Sequence, residues 1–395
     1  MKRNPVKATS PIISVPPGKV NTFLKEFLCW MDRTPFFFDF HPFSSRMLRC
    51  HFNFCALCPG PENPVPKPKS PVLEKTGGCA LQLPGKRVSS EAEGGAPMQT
   101  IPAKTIVTRT RSRWWFGTDY NMNLYRGCTH GCIYCDSRSS CYHNPDFDHI
   151  AVKENALAIV RDDLRRKVQR GVVATGAMSD PYNPLERKLR LTRHALELLS
   201  AYGFGVAVDT KSDLVSRDAD VLAEIAAQMP ALVKFSITTA DPDLAARLEP
   251  GAPSPERRFA AMEQLAKAGI FTGLLLMPVL LGLTDNRENL SRLLRQTAEA
   301  GGRFCYCWPG LTMREGQREY FYQALDREFP GLREKYEKRY GTRYRCTVPG
   351  AAKLYAWVRE ECSRLGLLSE MEAIIAVSRQ GYDFGGLPGQ ASLFS

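Results

Sequence analysis

Between about residue 103 and residue 310 the chain alternates two patterns in a regular rhythm. Short apolar runs, VVATGA (172–177), FGVAVDT (204–210), LVKFSITT (232–239), IFTGLLLMPV (270–279) and RFCYCW (303–308), have the length and composition of buried strands. Between them lie amphipathic stretches with helical spacing, at 153–169, 192–201, 217–228, 255–268 and 286–299. With a first strand around MNLYR (122–126), the count reaches six β/α repeats. Strands separated by helices of this length predict a parallel sheet, because hairpins are closed by short turns. The expected fold is therefore α/β, a partial (β/α)6 TIM-type barrel with its working residues at the C-terminal ends of the strands. Residues 311–380 read as a C-terminal helical extension of a core spanning 98–310, and GYDFGGLPGQASLFS (381–395) as a flexible tail.

Residues 1–97 break the rhythm. Proline-rich punctuation (CPGPENPVPKPKSP) and an aromatic burst (TPFFFDFHPF) occur without sustained periodicity. A segment of this kind buries too little apolar surface to offset its ordering entropy. It is expected to be disordered, or to lie upstream of a true start at Met98. Of 53 Lys+Arg and 41 Asp+Glu, this segment holds 13 and 7, so it carries +6 and the remainder the other +6. The main body is thus mildly basic, which permits a polyanionic partner without demanding one. No apolar run of about 18 residues is present, so no membrane span is expected. No secretory signal pattern precedes the core, which points to a cytoplasmic protein. In a reducing compartment clustered cysteines are more often metal ligands than disulfides.

The cysteine cluster is YRGCTHGCIYC, with Cys128, Cys132 and Cys135 immediately after the first expected strand. Three thiolates at this spacing can each hold one iron of a cubane [4Fe–4S] cluster, leaving the fourth iron open to a small ligand. Gly127 and Gly131 suit a loop that wraps closely around such a group. A zinc site that recruits His130 or His143 as a fourth ligand is the competing reading.

The loop, in this position, resembles the radical S-adenosylmethionine (radical SAM) superfamily, with Tyr134 as the aromatic before the last cysteine. Within it, NLYRGCTHGCIYCDSRSSCY, GAMSDPYNPLE, DTKSDLVSRD and KFSITT resemble the spore-photoproduct-lyase-like, or DNA-repair-photolyase-like, proteins. The resemblance implies a [4Fe–4S] cluster on the three cysteines, with S-adenosyl-L-methionine chelating the open iron. It also implies a reductant such as flavodoxin or ferredoxin. Ser179, Lys211 and Ser236 match the positions that hold the cofactor's methionine and ribose ends. Their chemistry agrees, since a lysine offers a cation to a carboxylate and serines offer short hydroxyl donors.

The resemblance thins at the hydrogen donor. Alignment on Ser179–Asp180 places Ala177 where the lyases carry a cysteine, and alanine has no comparable hydrogen to give. Cys141 and Tyr134 remain candidates for a catalytic role. Cys305 and Cys307, on one face of a strand, are either substitutes or small core residues. Trp114, Trp115 and Phe116 beside Arg109, Arg111 and Arg113 suit either base stacking or packing across the barrel's open edge. The expected function is a radical enzyme acting on a nucleic-acid lesion or modified base. Alternatives are a radical enzyme acting on a protein or small molecule, and a non-catalytic metal-dependent nucleic-acid-binding module. Gln390–Phe394 (QASLF), behind the tether GGLPG, resembles the short peptide by which bacterial repair proteins dock on the sliding clamp.

Overall fold

The computed structural model describes residues 98–385 apart from residue 168. The expected disordered segment 1–97 and the clamp-like Gln390–Phe394 lie outside the described residues.

The main sheet is built from β2 (Val107–Arg109), β3 (Tyr120–Met122), β6 (Val172–Thr175), β7 (Gly205–Thr210), β8 (Ala231–Ser236), β9 (Phe271–Leu276) and β10 (Phe304–Cys307). Their order is β10-β9-β8-β7-β6-β3-β2, parallel throughout except that β2 runs antiparallel to β3. The six parallel strands form the partial (β/α)6 barrel. The helices Ala156–Arg165, Leu191–Ala201, Ala219–Ala226, Pro255–Lys267 and Arg287–Glu299 alternate with them. The strand period of two divides each strand between two cores. Val173, Val206, Val208, Val233, Phe235, Leu274, Leu276 and Cys305 pack outward with the helices. Val172, Ala207, Leu232, Leu275, Phe304 and Tyr306 fill the barrel.

The expected first strand needs correction. The chain leaves the barrel after Met122, and Tyr125–Arg126 (β4) joins a separate three-stranded sheet with β5 (Ala151–Lys153) and β1 (Gln99–Ile101). That departure carries the cysteine loop onto the rim, where Cys128 N–H donates to Phe147 O at 2.8 Å.

The C-terminal extension does two jobs. Leu368 pairs with β10, accepting from Cys305 N–H at 2.8 Å and donating to Arg303 O at 3.0 Å, so the sheet edge is covered. The following helix, Met371–Arg379, sends Met371 and Ile374 against Phe116 and Phe304 as a plug of the barrel. Earlier, the antiparallel pair β11 (Gly310–Thr312) and β12 (Arg345–Thr347), with the helices Gln317–Glu328 and Leu332–Tyr340 between them, shares a core with Ile133, Tyr134, Leu248 and Leu280. The extension thus braces the cysteine loop. Phe321, fully buried there, contributes about 1.5–3 kcal/mol of burial alone.

Among the described residues, no helix is long and apolar enough to cross a membrane.

Candidate active site at the C-terminal rim

The cysteine loop begins at Gly127, where φ is +84° and a Cβ would meet His149 O at 2.1 Å, so only glycine fits. The thiols of Cys128, Cys132 and Cys135 lie close enough to act on one another electrostatically, and all three are free. Burial, aided by the Asp180 carboxylate, pushes the Cys128 thiol up to about 11. Burial also raises Cys132 and Cys135, against the opposing pull of the Lys211 ammonium. Metal binding deprotonates such thiols, and a cation held against them favours the thiolate form.

Lys211 follows β7 directly. Burial alone would lower its pKa, but Cys132 and Glu249 outweigh it and hold the ammonium above its ordinary value. Its Nζ stands 5.7 Å from the centre of the Tyr134 ring. Ser179 follows β6 and Ser236 ends β8, so the three residues expected to hold a cofactor sit on three adjacent strands. The structure brings them to the same rim as the cysteine loop.

Asp180 organises this rim. Its Oδ2 accepts from the Lys211 amide at 2.8 Å and faces His130 Nε2 at 2.9 Å. Its Oδ1 accepts from the Tyr182 amide at 2.9 Å and from Thr210 Oγ1 at 2.8 Å. Burial would raise this carboxyl, yet His130 and the two amides outweigh burial and hold it below the usual range. The ring of His130 is therefore committed to Asp180 rather than to a metal. Among the described residues, no three His, Cys, Asp or Glu side chains close on one point as a single-ion site requires. Three free thiols that act on one another, on a loop with a glycine cradle and with the Lys211 ammonium acting on two of them, are the kind of donor set an iron–sulfur cluster takes.

Other expected residues fall elsewhere. Cys141 lies in the turn Ser140–Tyr142, its sulfur 3.8 Å from Arg314 of the extension. Cys305 and Cys307 face away from the barrel interior and pack with Cys362 among the helices, as core residues. The aromatic strip divides. Phe116 is buried and Trp115 meets Tyr306 at 5.3 Å, so these rings fill the barrel's open side. Arg109 and Arg111 remain exposed, and Arg113 pairs with Asp119 at 2.5 Å. Inside the barrel, Lys234 Nζ forms a buried ion pair with Asp209 Oδ1 at 2.7 Å. Burial lowers the lysine and raises the carboxyl.

Sequence reading missed Asp180's central place, although the SDPY step lay within a quoted stretch. It also missed Glu249 and Arg258, for which no spacing rule gives a signal.

A family model for the radical SAM superfamily matches residues 122–294, from the end of β3 into the helix Arg287–Glu299. An uncharacterized protein of Mycobacterium tuberculosis is 37% identical over 228 residues, 56% of this chain and 67% of that one. The chain belongs to the radical SAM superfamily. An uncharacterized protein of Methanocaldococcus jannaschii is 31% identical over 172 residues, 43% of this chain and 63% of that protein. Among solved structures, a point mutant of spore photoproduct lyase matches with TM-score 0.53 at 18% identity, covering 69% of this chain and 80% of the lyase. A double mutant of that lyase with bound AdoMet and dinucleoside spore photoproduct matches with TM-score 0.50 at 18% identity, over 64% and 76%. At such identity the likeness to the lyase is one of fold, and it matches the partial barrel described above.

Proposed function

We propose that this radical SAM chain is an enzyme holding a [4Fe–4S] cluster on Cys128, Cys132 and Cys135, with S-adenosylmethionine held by Ser179, Lys211 and Ser236. Its substrate class is a nucleic-acid lesion or modified base. The observation that carries the reading is that three free thiols share one loop at the barrel rim, where the Lys211 ammonium acts on Cys132 and Cys135. When bound, the cluster and cofactor together supply a 5′-deoxyadenosyl radical that abstracts hydrogen.

The chain's own residues do the positioning. Lys211, its amide fixed by Asp180, offers its ammonium to the cofactor carboxylate at the end of β7. Ser179 and Ser236 offer hydroxyls from the flanking strands. The plug of Phe116, Met371 and Ile374 closes the barrel against water from the far side. Cys141, near Arg314 and the cysteine loop, is the candidate to return a hydrogen atom, since Ala177 has none to give. The lyase likeness of the fold and the quoted strand-end motifs favour a nucleic-acid substrate over a protein or small molecule.

The experiment is isotopic. Anaerobic turnover with deuterated DNA is expected to yield deuterium in 5′-deoxyadenosine. Transfer from deuterated protein instead, with none from DNA or RNA, refutes the substrate class while keeping the radical chemistry.

A further inference from the structure

The segment Leu248–Gly251 lies directly against the cysteine loop. Ile133 N–H donates to Leu248 O at 3.0 Å, and Gly251 N–H donates to His130 O at 2.9 Å. At Gly251 a Cβ would stand 2.1 Å from Thr129 O, so this approach requires glycine. Between the two anchors Glu249 turns inward and is 1% exposed. Its carboxylate accepts from the Tyr134 hydroxyl and from Thr238 Oγ1 at 3.3 Å, and pairs with Arg258 at 2.5 Å. Arg258, equally buried, donates onward to Ser236 O at 2.9 Å and Pro253 O at 2.8 Å.

Desolvating a carboxylate and a guanidinium costs several kcal/mol each before pairing, and an apolar pair of similar volume often serves stability as well or better. The location explains what packing does not. This network joins the aromatic of the cysteine loop to the end of β8, and the charge of Glu249 reaches Cys132 and Lys211.

We propose that Glu249 is a positioning residue for the metal centre: its buried carboxylate locks Tyr134 and Arg258 into the rim and opposes the negative charge that reduction adds. The proposal rests on the reading that Cys128, Cys132 and Cys135 hold an iron–sulfur cluster. Reduction puts one electron from a low-potential donor onto that cluster, and a fixed buried anion nearby disfavours it. Removing the anion therefore eases reduction. Removing the hydroxyl that partly neutralises the anion does the opposite.

The test is a potentiometric titration with dithionite, read by electron paramagnetic resonance, on full-length protein reconstituted anaerobically. Glu249→Gln keeps the shape and loses the charge. It is expected to retain iron and visible spectrum while its reduced-to-oxidised ratio at fixed potential rises about tenfold, a positive shift of about 59 mV for one electron. Tyr134→Phe is expected to shift the potential the other way. Intact clusters with no shift, or with shifts of the same sign, overturn the proposal alone. Should Glu249→Gln not assemble, Tyr134→Phe decides: a negative shift supports the role, and none or a positive one overturns it. A wild-type chain that takes up no iron overturns the cluster reading itself, and this proposal with it.

Discussion

Asp180→Asn removes one charge at the point where the cysteine loop, β6 and β7 are tied together. The carboxylate accepts from two backbone amides, from Thr210 and from His130, at 2.8 to 2.9 Å. An asparagine presents one carbonyl oxygen and one NH2 group. Whichever way it turns, its NH2 confronts either the Lys211 amide or the Tyr182 amide, leaving a buried N–H unpaired. An unsatisfied buried donor costs about 1–3 kcal/mol, and losing the charged partner of a buried pair brings the total to roughly 3–5 kcal/mol. At about 2–4 °C per kcal/mol for a domain of this size, the melting temperature is expected to fall by roughly 6–20 °C. Thermal unfolding followed by circular dichroism on the apo chain measures it without any cofactor. Thr210→Val removes a donor to Asp180 and the acceptor of the Ser212 amide, and is expected to cost about 1–3 kcal/mol. A melting temperature for Asp180→Asn within about 3 °C of wild type refutes the claim that Asp180 organises the rim.

Three further outcomes follow from the same geometry. Lys211→Ala and Ser236→Ala are expected to weaken S-adenosylmethionine binding by about ten- to a hundredfold, roughly 1.5–3 kcal/mol, with iron content unchanged; equal affinity by calorimetry removes both residues from the site. The depressed carboxyl of Asp180 contributes stability above its unfolded value near pH 3.9 and loses it as pH falls through its lower folded value. In urea titrations the gap between wild type and Asp180→Asn is therefore full at neutral pH and narrows below about pH 4, whereas a constant gap down to pH 2 contradicts the assignment. Gly251→Ala places a methyl group against Thr129 O and is expected to displace the cysteine loop, seen as lost iron retention with the barrel's far-ultraviolet circular dichroism intact; full retention shows that the loop does not depend on that contact.

The long elements were legible because their periodicity is long. β6, β7, β9 and β10 fall inside their expected runs, β8 starts one residue before its own, and the helix Arg287–Glu299 sits within its expected span. The three-residue strands β1, β2 and β5 were not, since three residues establish no period and their pairing is set by tertiary context. Lys234 shows the same limit differently. It alternates with Val233 and Phe235, which pack on the helices, so its own face is the interior of the partial barrel, where Asp209 receives it. The cysteines, Ser179, Lys211 and Ser236 could be read as candidates because local motifs and strand ends mark them. Glu249 and Arg258 could not, because their role arises from a loop folding back onto another more than 100 residues earlier in the chain. The tryptophans illustrate a local pattern with two outcomes: the same strip that suits base stacking instead fills the barrel, because Tyr306 and the Met371–Arg379 helix offer it a dry partner.

Anaerobic reconstitution followed by reduction with dithionite in the presence of S-adenosylmethionine tests the central claim most directly. Wild-type protein is expected to carry about four irons per chain and to release 5′-deoxyadenosine and methionine, as a three-cysteine cubane with an open iron requires. Cys128→Ala, Cys132→Ala and Cys135→Ala are each expected to lose both the chromophore and the cleavage, while Cys141→Ala keeps the cluster. A wild-type chain that binds a single zinc ion and cleaves no cofactor, or a Cys128→Ala variant that cleaves it at the wild-type rate, would contradict the assignment.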